Sequence, residues 1–194
     1  MTAETESVPV NRFALFSETM LAGIIVLALS VPLVTVPAAY AAGTAHLGRH
    51  LSGRDDSVRS LWGTFRSALP GSQKLGFTTA AVAAVVIINL LLAAAGQLPG
   101  RAVVLPATLL VAAAAAVLLL RTASRWQSGA WAEAVAAART ESLADWCGSL
   151  LLVAALGLAA VFVWMLPALV IVVPGCLVLA AAAVRLRAEA GSAS

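Results

Sequence analysis

Charge is scarce in this chain. Only 11% of its 194 residues are charged, where a soluble globular domain carries about 25%. Four long stretches hold no charge at all: Thr19–Ala45, Leu75–Gly100, Ala102–Leu120 and Trp146–Val184, of 27, 26, 19 and 39 residues. A water-facing surface cannot be covered from such a composition, which excludes a soluble domain beside a membrane one. Histidine and cysteine are equally sparse, with two of each. Cys147 lies at the start of one predicted span and Cys176 inside another, without a CxxC or Cys/His neighbour, so neither a disulfide framework nor a thiolate metal site is expected.

The uncharged stretches are sized for a bilayer. A hydrocarbon core about 30 Å thick takes roughly 20 helical residues at about 1.5 Å each. The first three stretches suffice for one crossing each, and the fourth for two. The reading is an all-α, polytopic membrane helix bundle with five transmembrane helices, at about 19–37, 75–96, 102–121, 146–166 and 168–186. A flexible segment over 1–18 precedes this single domain (19–187), and a tail over 188–194 follows it. No cleavable leader is expected, because Glu4, Glu6 and Glu18 precede an apolar run that holds Pro32 and Pro37. Within the last stretch, a turn at Pro174-Gly175 would leave too few apolar residues before Arg185. Pro167 is therefore read as the turn and Pro174 as a kink.

The net charge of +3 is assigned to loops rather than to nucleic acid. Arg49, Arg54, Arg59, Arg66 and Lys74 lie between spans one and two. Arg121, Arg125 and Arg139 lie between spans three and four, and Arg185 and Arg187 follow span five. These regions share one side of a five-span topology, and only Arg12 and Arg101 lie opposite. By the positive-inside rule the N-terminus is out and the C-terminus in. Trp126, Trp131 and Trp146 at the inner ends, and Trp164 at the outer turn, read as an interfacial belt.

The segment between spans one and two carries the clearest design. The first span is expected to bend at Pro32 and Pro37 and continue as helix past Tyr40 and Leu47 to Gly53. Asp56 or Ser57 then caps a helix over 57–69. Val58, Leu61, Trp62, Phe65 and Leu69 line one face of it, the pattern of a basic amphipathic helix lying in the cytoplasmic interface. The segment Arg121–Asp145 is read as continuing span three as helix past Trp131 in an ordinary solvated helical hairpin, its charges balanced by Glu133, Glu141 and Asp145.

Signatures of chemistry are few. His46 and His50 stand four apart, a metal-ligand spacing, but Leu47 occupies the position where a zinc protease needs Glu. No third ligand is evident, so no metal or cofactor is assigned. There is no GxSxG serine, no phosphate-binding loop and no carboxylate pair within a span. Asn89 is the most polar residue inside any span. It is read as hydrogen-bonding a neighbouring helix, with contact to a solute as the other use. Ion-coupled transport would need ionisable groups at mid-membrane, and none is there.

The stretch from Phe13 to Leu90 resembles the YesL-like family of bacterial integral membrane proteins. Leu29-Ser30-Val31-Pro32-Leu33-Val34-Thr35-Val36-Pro37-Ala38 resembles the family's SLPxxTxGPA run, with Val36 where the family often has Gly. Arg49 to Ser57, through Gly53 and Asp56, resembles its basic R…GED segment, with Arg54 where Glu is usual. Ser60 to Arg66, with Trp62 and Phe65, follows its aromatic helix. The resemblance implies a protein of the bacterial cytoplasmic membrane, associated with carbohydrate uptake and without an established activity. It marks Pro32, Pro37, Arg49, Gly53, Asp56, Trp62 and Phe65 as motif or partner-contact positions. A sugar permease itself is not expected, since after Glu133-Ala134 Arg139 stands where the permease loop has glycine. The expectation is a non-enzymatic accessory or regulatory membrane protein, with a carbohydrate transporter as partner. The alternative is a small facilitator acting as an oligomer, its path lined by Asn89 and the proline-broken helices.

Overall fold

The computed structural model describes residues 12–51, 57–97, 100–126 and 129–192. The described residues form seven α-helices: α1 (Arg12–Leu29), α2 (Val36–Leu51), α3 (Val58–Ala94), α4 (Arg101–Arg125), α5 (Trp131–Ala144), α6 (Trp146–Met165) and α7 (Val173–Ser192). Among the described residues, four helical segments are long and apolar enough to cross a membrane: α3, α4, α6 and residues Leu169–Ala188, which take in most of α7. The later four of the expected spans thus have helices to match.

The first apolar stretch behaves differently. It is not one helix bent at Pro32 and Pro37; α1 ends at Leu29 and the chain reverses. Pro32 lacks an N–H and pushes Val31 out of the helical region. Thr35 Oγ1 then donates to Leu29 O (2.5 Å) and Pro32 O (2.7 Å), satisfying a carbonyl that the end of α1 leaves open. Pro37 is the second residue of α2, where its missing N–H costs nothing. The two helices run antiparallel, since Glu18 meets His46 and a Cβ on Gly43 would lie 2.7 Å from Val26 Cγ2. Residues 12–18, part of the segment expected to be flexible, form the first turns of α1.

The second arm of this hairpin is the centre of the protein. Helix α2 packs against α1, α3, α4 and α7. Ala38, Ala39, Ala41 and Ala42 are fully buried on it. A helix buried all round must be small all round if four neighbours are to approach, and these alanines supply that. Helix α1 meets α7 as closely: a Cβ on Gly23 would lie 2.8 Å from the backbone nitrogen of Gly175.

Helix α3 has two halves. Pro70 (φ −63°, ψ 124°) and Gly71 (φ 86°, ψ −17°) have the angles of a type II turn, whose second central position favours glycine. The helix expected over 57–69 is present as residues 58–69, with Ser57 Oγ accepting from the Ser60 N–H. Helix α4 stops at Arg125, where Trp126 turns extended, and does not continue past Trp131 as expected. At the other end, Pro167 opens the turn after α6 as expected. Pro174 lies within the Leu169–Ala188 segment but in the first turn of α7, where it begins the helix and does not kink it.

Candidate functional site

The polar interior of the bundle gathers where α4, α5, α6 and α7 end together. Asp145 closes α5 and opens α6, its Oδ1 accepting from the Gly148 N–H at 2.9 Å. Arg121, near the end of α4 and only 3% exposed, reaches this junction. Its Nη2 donates to Asp145 Oδ2 (3.1 Å), Asp145 O (3.1 Å) and Ser149 Oγ (3.2 Å). Its Nη1 lies 3.8 Å from Glu141, to which Arg125 also donates through two nitrogens. From α7, Arg185 donates to Ser124 O at 2.7 Å. Arg121, Ser124, Glu141 and Arg185 border a void of about 10 Å³, the size of one water molecule.

This junction holds its carboxylate ionised. The Gly148 N–H is the largest influence on Asp145, and the Arg121 guanidinium adds to it against partial burial. Together they place the Asp145 carboxyl below its usual value. The segment was expected to be a solvated hairpin. The physical reason for the difference is the length of the arginine side chain: Arg121 folds inward along α6 because Asp145 and Ser149 offer acceptors there.

A second polar contact ties the hairpin. His46, fully buried, has its Nε2 2.5 Å from Glu18 Oε1. His46 Nδ1 has no hydrogen-bond partner among the described residues. The two histidines differ in surroundings, since His50 is only partly buried. Among the described residues, no three His, Cys, Asp or Glu side chains converge as metal ligands.

The residues marked by the resemblance do not meet in one cavity. Pro32 is at the exposed tip of the hairpin and Pro37 is buried at the start of α2. About 18 Å along the helix axis, Arg49 donates to Thr64 on α3 at 3.4 Å. Trp62 and Phe65 touch, with ring centroids 5.5 Å apart. They point differently, however: Phe65 is 6% exposed among the core residues, whereas Trp62 is 50% exposed. The single apolar face expected for this helix is thus divided, with Leu61, Phe65 and Ala68 inward and Val58 and Trp62 outward. Gly53 and Asp56 lie outside the described residues.

Two of the expected belt tryptophans are core residues instead. Trp126 and Trp131 are buried and stacked, and Trp131 Nε1 donates to Ala68 O at 3.0 Å. Trp146 and Trp164 are exposed, as an interfacial position requires. Asn89 Nδ2 donates to Thr108 Oγ1 on α4 at 3.0 Å, the interhelical use expected of it. Beside that bond, α3 and α4 enclose a groove of about 500 Å³ lined by alanine and valine, with Thr108 its one polar residue.

Among the described residues the geometry defines a class, an all-helical arrangement with four helices long and apolar enough to cross a membrane and charged contacts where α4 meets α5 and α6. Comparisons with protein-family models, with characterised proteins and with solved structures found no match.

Proposed function

We propose that this is a non-enzymatic, multi-pass protein of the bacterial cytoplasmic membrane that acts as an accessory or regulatory partner of another membrane protein. The observation that carries the reading is how the buried ionisable groups are used. His46 is engaged with Glu18 between α1 and α2, and Arg121 with Asp145 and Glu141 between α4 and the α5–α6 junction. These contacts join helix to helix. The spanning part of α3 supplies the surface a partner would use, since none of its most apolar 18 residues is buried within the protein. The YesL-like resemblance supplies the partner class, a carbohydrate uptake system.

In the proposed topology α3, α4, α6 and α7 each cross once. The α1–α2 hairpin enters and leaves on the cytoplasmic side, and both termini are cytoplasmic. The facilitator reading needs Asn89 to face a solute path, and its donation to Thr108 disfavours that. Purification from host membranes after mild crosslinking tests the proposal. Recovery of transporter subunits supports it. Recovery of the protein alone, together with solute flux when it is reconstituted in liposomes, overturns it.

A further inference from the structure

The first half of α3, residues 58–69, has its two sides committed differently. Leu61, Phe65 and Ala68 are buried, at positions i, i+4 and i+7 of the helix. Trp131 secures that side through its bond to Ala68 O. The side left outward carries Arg59, Trp62 and Arg66, at i, i+3 and i+7, all exposed. Beyond the Pro70-Gly71 turn comes Lys74, also exposed, and then the uncharged run that begins at Leu75.

Three features of this strip point to one ligand. Its charge is of one sign: the sequence holds no Asp or Glu from Ser57 through Ala132. Asp55 and Asp56 precede the helix and lie outside the described residues. Among the described residues, Arg59, Arg66 and Lys74 form no ion pair. Its position is set by covalent continuity, since α3 enters its apolar half within one turn of Lys74. Its aromatic is an exposed Trp between two arginines, the residue type enriched at the level of lipid headgroups.

We infer that Arg59, Trp62, Arg66 and Lys74 form a binding surface for the anionic phospholipid headgroups of the cytoplasmic leaflet. The arginines pair with headgroup phosphates, and Trp62 enters the headgroup–acyl boundary between them. Because Leu61, Phe65 and Ala68 are fixed against the bundle, the strip is presented without further folding. The inference rests on the reading of α3 as a membrane-spanning helix and adds the lipid class that its cytoplasmic end selects.

The test is Trp quenching in vesicles of phosphatidylcholine containing about one-fifth phosphatidylglycerol. Either lipid is brominated near the headgroup end of its acyl chains, and W62F protein is subtracted to isolate Trp62. Each surface charge near anionic lipid is worth roughly a fivefold local enrichment. Per brominated molecule, phosphatidylglycerol should therefore quench Trp62 at least about fivefold better than phosphatidylcholine. The preference should fall toward one in R59Q/R66Q/K74Q protein, and in the parent protein at high salt. Equal quenching by the two lipids in the parent protein overturns the anionic selectivity while leaving the membrane placement intact. Quenching by aqueous acrylamide with none by either lipid overturns both, and frees the strip for a protein partner.

Discussion

Removing Asp145 should harm the protein more than removing the arginine it holds, although one contact is lost either way. In R121M the methionine fills much of the space of the arginine stem. The carboxylates left behind reach water, Asp145 being 32% and Glu141 17% exposed. Asp145 keeps the Gly148 N–H and Glu141 keeps Arg125. The cost is that of a partly screened contact, about 1 kcal/mol. In D145A the helix cap is lost, about 1 kcal/mol, and a guanidinium only 3% exposed loses its nearest carboxylate. Breaking a buried pair from one side costs about 3–5 kcal/mol. The exposure of Asp145 lowers that share to about 2 kcal/mol. The sum of about 3 kcal/mol corresponds to about 6–12 °C in midpoint for a chain of this size. Thermal unfolding in mild detergent, followed by fluorescence-detected size exclusion, measures both variants. The double variant R121M/D145A has no stranded charge and should be more stable than D145A alone. Strictly additive losses, or R121M as damaging as D145A, would refute this account of the junction.

The division of the 58–69 helix separates two neighbouring aromatics. F65S opens the core against α2 and should cost about 3–5 kcal/mol in the same assay. W62S alters an exposed residue, should cost under about 1 kcal/mol, and should act only when lipid is present. A reversed order would place the wrong side of this helix against the bundle. Acid titration examines Asp145 from another direction. Its carboxyl lies below its ordinary value, chiefly through the Gly148 N–H and then through Arg121. The stabilisation is complete above the unfolded value of about 3.9 and is lost as pH falls through the lowered folded value. Midpoints measured from pH 6 down to pH 3 should drop less steeply in D145A than in the parent protein, and parallel curves would argue against the linkage.

Helices α3, α4, α6 and α7 were legible because runs near the bilayer length are bounded by charges, Lys74, Arg101, Arg121, Asp145 and Arg185. The hairpin was not. The 27 uncharged residues from Thr19 to Ala45 satisfy a single long crossing as well as a reversal. What selects the reversal is Pro32, the Thr35 hydroxyl reaching back to Leu29 O, and the alanines that let α2 be surrounded. Pro32 and Pro37 read as kinks in the sequence because a kink and a turn use the same residue. The interior contacts stayed hidden for a different reason. Glu18 and His46 are 28 positions apart, and Trp131 and Ala68 are 63 apart. Hydropathy carries no information at such separations. An arginine at the end of an apolar run reads as snorkelling to water, and only the fold reveals that Arg121 turns inward.

The hairpin also changes what the positive charges establish. Ten of the twelve basic residues lie in three segments: Arg49 to Lys74, Arg121 to Arg139, and Arg185 with Arg187 late in α7. Those segments share a side whenever α3, α4, α6 and α7 each cross once, whatever precedes them. Charge bias therefore bears on the orientation of the four apolar helices in the proposed topology and says nothing about the first segment. A one-way span there would put the N-terminus outside. An antiparallel hairpin brings Glu18 beside His46, so the start of α1 lies at the same end of the hairpin as the segment leading into α3. The two topologies differ by one crossing, and compartment-sensitive reporters on the two termini read that difference directly. Both reporters should register the cytoplasm. An external N-terminus with an internal C-terminus would restore the five-crossing arrangement, and would require α1 and α2 to separate in the membrane at the cost of the Glu18–His46 contact.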